Sequence, residues 1–138
     1  LRRRQRQMCI RDSGRVVSPE KKEKVKVVAE NLVKSFFESM GYRCVKRSEY
    51  APYDFELYDQ EGNLVYYVEV KGHETSEPVA ELSENEFEFA KKHEDKYIVC
   101  IVTNALTSPH MRCVPFRELK PVKAVFIRTL KYIYKAGE

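Results

Sequence analysis

The sequence contains no apolar run approaching the roughly 20 residues that a membrane-spanning helix requires. It contains no Cys-x-x-Cys pair, and its four cysteines, at positions 9, 44, 100 and 113, lack the spacing of zinc ligands. It also lacks the continuous apolar segment of a secretory signal near the N-terminus. We therefore expect a cytoplasmic protein with free thiols, and no contact with a membrane.

The positive net charge of the chain comes from its N-terminal tail. The formal charge is +4, but residues 1–15 contain six arginines and one aspartate, so the other 123 residues carry −1. Residues 8–13 read MCIRDS and resemble a translated sequencing adaptor found at the ends of metagenomic gene models. We expect residues 1–13 to be a non-native or disordered basic tail; a genuine phosphate-binding arm is the alternative. Residues 14–138 should form a single domain.

Helical periodicity predicts the first element over residues 19–40. Ser18 is a natural N-cap, Pro19 suits the first helical position, and Gly41 can adopt the left-handed conformation that ends a helix. Apolar residues recur at helical spacing and indicate one buried stripe: Val25, Val28, Ala29, Leu32, Val33, Phe36, Phe37 and Met40.

The remaining elements are predicted from alternation, turn residues and caps. Strands are expected over 42–47, 53–58 and 64–71, then a helix from Ser83 to about Lys92, and then a strand over 97–102. After Pro109 we expect a strand near 112–117 and a helix behind Pro121, although the composition of that last segment also permits strands. The core order α-β-β-β-α-β predicts an α/β fold, a mixed sheet flanked by helices on both faces.

The hairpin formed by the second and third strands brings two carboxylates together. A four-residue loop at 60–63 pairs Asp59 with Leu64, and antiparallel counting then places Asp54 opposite Glu69. Like charges this close repel each other, so the fold needs a reason to keep them there. A divalent cation supplies that reason.

Two carboxylates and a lysine on one sheet face are suited to metal-assisted phosphodiester hydrolysis. Mg²⁺, or Mn²⁺ in its place, takes oxygen ligands and is often held by one or two carboxylates, here Asp54 and Glu69. Lys71, two residues after Glu69, can orient the attacking water or offset charge on the transition state. The alternative is a salt-bridged polar surface in which Lys71 simply neutralises both carboxylates.

The segments Pro52-Tyr53-Asp54 and Glu69-Val70-Lys71, separated by a hairpin, resemble the motif of the PD-(D/E)xK nuclease superfamily. The extra tyrosine between proline and aspartate departs from that motif. Over about residues 19–103 the sequence most resembles the nuclease-like domain at the C-terminus of NO VEIN-type proteins. In that domain Glu-Val-Lys precedes a Thr/Ser-x-Asn-Glu helix start, here residues 83–86, and a Lys-Tyr strand, here residues 96–97.

The resemblance implies that residues 14–138 form one nuclease-like domain with a restriction-endonuclease-like core. It further implies a Mg²⁺-dependent endonuclease that hydrolyses nucleic acid, often DNA, in defence, restriction or repair, and that many members are modules of larger ATPase or helicase proteins. An inactive nuclease-fold module for DNA binding or protein interaction is the alternative. Because the domain outside the tail is nearly neutral, we expect a homodimer or a partner to assist nucleic-acid binding.

Three further residues are candidate accessory members of the site. Glu30 lies at the rim of the apolar stripe of the first helix, where related nucleases often supply an acidic residue, or it is simply solvated. Asn85 is a candidate because the capping box already explains Glu86. His73 follows Lys71 and can contact phosphate or transfer a proton, unless it is an ordinary histidine.

Overall fold

The computed structural model describes residues 18–121. Its elements are, in chain order, α1 (Pro19–Ser39), β1 (Arg43–Lys46), β2 (Phe55–Tyr58), β3 (Leu64–Gly72), α2 (Glu84–Lys92), β4 (Tyr97–Thr103), β5 (His110–Pro115) and a 3-10 turn (Phe116–Glu118). The expected mixed α/β fold is confirmed. The tail predicted at residues 1–13 and the helix predicted behind Pro121 lie outside the described residues.

The five strands form one mixed sheet in sequential order from β1 to β5. Neighbouring strands are antiparallel except β3 and β4, which are parallel and are joined by the crossover that contains α2. A parallel pair requires such a long connection, whereas the antiparallel pairs need only turns. The predicted strand near 112–117 corresponds to β5, which begins at His110 and ends at Pro115, where the 3-10 turn begins.

Helix α1 begins and ends where its sequence predicts. The Ser18 side chain accepts a hydrogen bond from the Lys21 backbone N–H at 3.1 Å, and Pro19 occupies the first turn. Just beyond the helix, Gly41 has a φ of 98°, a conformation that side chains disfavour. Every fourth residue from Val25 to Phe37 is buried, which fixes the face that α1 presents to the sheet.

Both faces of the sheet are covered, as predicted. One core cluster joins α1 to the sheet and includes Val33, Leu57 and Val68, all with no exposed surface. The other cluster, on the opposite face, joins Ala90 of α2 to Tyr97 and residues around it on β4. Because β4 is buried on both faces, it reads as a continuous apolar run.

The register of the β2–β3 hairpin agrees with the prediction near the proposed site and differs at the loop. Phe55 pairs with Val68, as antiparallel counting requires, but Tyr58 pairs with Leu64 through a bulge. Asp59 and Asn63 close the loop, which leaves residues 60–62 in place of the predicted 60–63. The Asp59 backbone N–H donates to the Asn63 carbonyl oxygen, and the Asp59 side chain accepts a hydrogen bond from the Asn63 N–H. Beyond the bulge, from Leu57 back to Phe55, the pairing has the predicted register.

The prediction of free thiols is wrong for two cysteines. Cys100 and Cys113 lie directly opposite each other on β4 and β5 and form a disulfide. Their sequence separation of 13 follows no motif, so strand pairing alone reveals them as partners. Cys44 is free and buried, and burial raises the pKa of its thiol to about 11. Cys9 lies outside the described residues. The expectation of a cytoplasmic protein rested partly on free thiols, and the disulfide pair does not support it.

None of the helices between residues 18 and 121 combines the length and apolarity needed to span a membrane.

Candidate functional site

The three residues predicted to form the centre of the site, Asp54, Glu69 and Lys71, lie in or next to the β2–β3 hairpin. Asp54 lies one residue before β2, and its backbone N–H donates to the Val68 carbonyl oxygen at 2.8 Å, so strand pairing continues past the end of β2. Val68 is also the partner of Phe55, and Glu69 follows it on β3, so Asp54 lies beside Glu69 and its charge acts on the Glu69 carboxyl. Lys71 follows two residues later and therefore shares the Glu69 face.

The two oxygens of the Asp54 carboxylate have different partners. Oδ2 accepts a hydrogen bond from the Val70 backbone N–H at 2.8 Å, which ties the side chain to β3. Oδ1 lies 3.4 Å from the Lys46 ammonium nitrogen. One oxygen is therefore held by the backbone, and the other is held only by a flexible side chain.

The Glu69 carboxyl is the most buried acidic group of this site, with only 6% of its side chain exposed. Burial, and next the negative charge of Asp54, raise its pKa to about 9, although Lys71 acts in the opposite direction. A carboxyl in such an environment favours the proton, or another cation, at neutral pH. Glu69 is thus held where its charge is poorly compensated.

Lys71 lies between two carboxylates. Its ammonium nitrogen is 3.1 Å from Glu69 Oε2 and 3.0 Å from Glu86 Oε1. Burial alone lowers the pKa of Lys71, but the two carboxylates outweigh burial and the net pKa is raised. Lys71 is accordingly an ammonium group held in place between two carboxyl groups.

Glu86 belongs to this site, although the sequence analysis assigned it only the structural role of the capping box. It forms the predicted capping box with Ser83, but the same Oε1 that accepts the Ser83 N–H also contacts Lys71. Burial alone raises the pKa of Glu86, but the Ser83 hydrogen bond and the Lys71 charge together outweigh burial. The net pKa of Glu86 is therefore lowered. One signal in the sequence could have placed Glu86 near Lys71: the helix of a crossover connection starts near the end of the strand that it follows.

Lys46 and Glu30 form the opposite border of the site. The Lys46 nitrogen lies 2.8 Å from Glu30 Oε2, and the Glu30 side chain is only 16% exposed. Glu30 therefore reaches the site, but through Lys46 and not through a direct contact with Asp54. Lys46 was not singled out from the sequence, because only the pairing of β1 with β2 places it beside the site.

The structure does not bring Asn85 and His73 into the site. Asn85 is exposed, and none of the hydrogen bonds within residues 18–121 joins its side chain to a predicted catalytic residue. The His73 ring nitrogen Nε2 lies 2.5 Å from the Val79 carbonyl oxygen. His73 therefore closes the loop after β3.

Glu56 shares the site face but is engaged elsewhere. Its carboxylate accepts hydrogen bonds from Arg47, Tyr53 and Tyr58. Burial raises the pKa of Glu56, but these three donors outweigh it and the net pKa is about 2. This network fixes the loop that leads into Asp54.

The acidic groups fit an open metal site better than a closed one. Among residues 18–121, no three histidine, cysteine, aspartate or glutamate side chains are grouped to hold a metal ion. Asp54 and Glu69 offer two carboxylates, which suits an ion that keeps most of its waters. The buried Glu69 carboxyl facing Asp54 is the observation that fits a divalent cation, since added positive charge would relieve both groups.

Comparison with known proteins identifies a family. The family model described as the C-terminal domain of protein NO VEIN matches residues 23–114. This span runs from within α1 into β5, and it includes Asp54, Glu69, Lys71 and Glu86. No curated protein and no solved structure matches the chain. Because the model covers most of the sequence, the chain belongs to the NO VEIN C-terminal domain family.

Proposed function

We propose that this chain is a metal-dependent nuclease of the PD-(D/E)xK type that hydrolyses phosphodiester bonds in nucleic acid, with DNA as its substrate class. The observation that carries the proposal is the buried Glu69 carboxyl, which lies near Asp54 and 3.1 Å from the Lys71 ammonium. Such a group is unfavourable for stability, and a role in binding a cation and a phosphate accounts for its presence. The context we propose is defence, restriction or repair.

The order of elements supports the same proposal. A helix precedes the hairpin that contains the acidic residues, and a helix and a parallel strand follow it. We propose that this arrangement is a restriction-endonuclease-like core. Fold likeness alone does not establish an activity, so the argument depends on the site.

Each residue has a distinct role in the proposed reaction. Asp54 and Glu69 would hold Mg²⁺ or Mn²⁺, which polarises a phosphate and lowers the pKa of water. Lys71 provides a positive charge at the site, where it offsets the negative charge that develops on the phosphate in the transition state. Contacts with Glu69 and Glu86 hold that ammonium in position. Preorganised charge of this kind is a large part of enzymatic phosphate chemistry.

The charge around the site bears on substrate binding. Six glutamates and no lysine or arginine lie within residues 74–88, next to the Lys71 side of the site. Phosphate contacts with lysine and arginine supply most non-specific affinity for nucleic acid, so this domain alone should bind weakly. We propose that a second copy or a larger ATPase or helicase partner supplies the missing contacts.

A specific observation favours the second candidate, a catalytically inactive module for DNA binding or protein interaction. Lys46 and Lys71 already contact Asp54, Glu69 and Glu86, so the carboxylates form a connected set of ion pairs without any metal. Such a network can serve stability alone. Cleavage and metal binding separate the two candidates, because the inactive module needs neither.

The test is cleavage of plasmid, branched DNA and RNA by the full chain with Mg²⁺ or Mn²⁺. Variants Asp54→Asn and Lys71→Ala should abolish metal-dependent cleavage. Lys21→Ala is a matched control, since the ion pair that Lys21 forms within residues 18–121 is with Glu74, at 2.6 Å, and not with a site residue. Absence of cleavage with either metal, together with DNA binding that the site variants leave unchanged, would favour the inactive module.

A further inference from the structure

We propose that Lys46 occupies the Asp54 oxygen that a metal ion needs, and that the ion must displace Lys46 to bind. The inference rests on the proposed function, because it concerns the same metal site. It assigns to Lys46 the role of an internal counter-ion that lowers the metal affinity of the site.

The first step concerns which Asp54 oxygen is free. Oδ2 accepts the Val70 backbone N–H at 2.8 Å, a hydrogen bond that is fixed by the strand pairing. A cation would therefore bind at Oδ1 without breaking that contact. Oδ1 is the atom that lies 3.4 Å from the Lys46 nitrogen. Lys46 and the ion thus compete for one atom.

The second step concerns where Lys46 goes. Its nitrogen has a closer partner in Glu30 Oε2, at 2.8 Å, so it keeps an ion pair after it leaves Asp54. The Lys46 side chain is 44% exposed and lies on the edge strand β1. A half-exposed lysine on an edge strand can move without the loss of buried contacts. Displacement from Asp54 is therefore structurally easy.

The third step is electrostatic. An ammonium group and a divalent cation that share one carboxylate oxygen repel each other strongly at such short distances. Without metal, Lys46 instead compensates the Asp54 charge that faces Glu69. The same contact therefore stabilises the metal-free protein and opposes the ion. Removal of the Lys46 charge should tighten metal binding.

The experiment is calorimetric titration of Mn²⁺ into the full chain, which needs no substrate or activity. Lys46→Met keeps most of the apolar stem and removes the ammonium group, whose nitrogen lies 5.3 Å from the centre of the Phe55 ring. It should bind Mn²⁺ about five- to tenfold more tightly than the wild type, whereas Lys46→Arg should stay within about twofold. Lys21→Met removes an equal charge and an ion pair elsewhere, and it should leave the affinity unchanged.

The outcomes separate this inference from the proposed function. Binding that Asp54→Asn abolishes but Lys46→Met does not tighten would overturn the role of Lys46 and leave the metal site intact. Equal tightening by Lys21→Met would also overturn it, since the effect would then be one of net charge. No Mn²⁺ binding by any of the proteins would overturn the metal site and the inference together.

Discussion

The Glu86 carboxylate caps α2 and also lies 3.0 Å from the ammonium nitrogen of Lys71. One side chain therefore joins the crossover helix to strand β3. The capping contact requires only a hydrogen-bond acceptor, whereas the contact with Lys71 depends on charge. The two roles can be separated by substitution.

Glu86→Gln should preserve folding and reduce activity. Glutamine can fill the capping-box position, so we expect the free energy of unfolding to change by less than about 1 kcal/mol. Loss of the Glu86 charge should lower the pKa of Lys71, because that carboxylate is one of the groups that raise it. Thermal unfolding and the pH–rate profile of cleavage are the measurements. An unchanged alkaline limb of the profile would contradict a charge role for Glu86.

Glu69→Gln should make the protein more stable at pH 8. The folded-state pKa of about 9 lies above the ordinary value of 4.5, so the folded state holds a proton that the unfolded state releases between these values. Stability from this group is therefore lost as the pH rises from 4.5 to 9. Glutamine removes that loss, and we expect a gain of about 1–2 kcal/mol at pH 8 that shrinks towards pH 5.

Chemical denaturation of both proteins across this pH range measures the difference. A variant that is less stable than the wild type at pH 8, or a difference that does not depend on pH, would show that Glu69 is well compensated in the metal-free protein.

Gly72→Ala should destabilise the fold through a steric effect. Gly72 follows Lys71 where β3 packs against α1, and a Cβ at this position would lie 2.9 Å from Ala29 Cβ. Overpacking of this kind costs about 1–3 kcal/mol. The double variant with Ala29→Gly should show a favourable coupling energy in a double-mutant cycle. Additive effects in denaturation would mean that the two positions do not meet.

The Glu56 network should contribute to stability in the acid range. The pKa of Glu56 is lowered from 4.5 to about 2, so its contribution is present above pH 4.5 and is lost as the pH falls towards 2. Because Arg47 is half-exposed, solvent screens part of its interaction with Glu56. We therefore expect the acid-range loss of stability to be about 1 kcal/mol smaller in Glu56→Gln than in the wild type. Glu88→Gln, a change at an exposed glutamate, should titrate like the wild type. Identical acid profiles for all three proteins would contradict the network.

Local patterns were sufficient to predict much of the fold. The caps at Ser18 and Ser83 mark both helices, and alternation in the hairpin predicts a register that holds from Phe55 to Leu57. These features depend on contacts between residues close in sequence. The hairpin loop was predicted incorrectly because the Asp59 side chain closes a tighter turn, which a count of loop residues does not reveal.

Contacts between distant elements were not predictable from one sequence. Glu86 and Lys71 are 15 residues apart, and Lys46 and Glu30 are 16 residues apart, with no periodicity that relates them. The same is true of Cys100 and Cys113, which only the β4–β5 register brings together. The sequence analysis therefore named Asp54, Glu69 and Lys71, which lie close together in the structure, but it missed Lys46 and gave Glu86 only a capping role.

The most direct measurement is the cleavage rate of a labelled DNA duplex by the wild type and by Lys71→Ala, with Mn²⁺ occupancy of both proteins measured in parallel. The account predicts that both proteins bind the ion and that only the wild type cleaves, because Asp54 and Glu69 hold the metal while Lys71 stabilises the reacting phosphate. Cleavage by Lys71→Ala at the wild-type rate, or an absence of cleavage by a fully metal-loaded wild type on every nucleic acid offered, would contradict it.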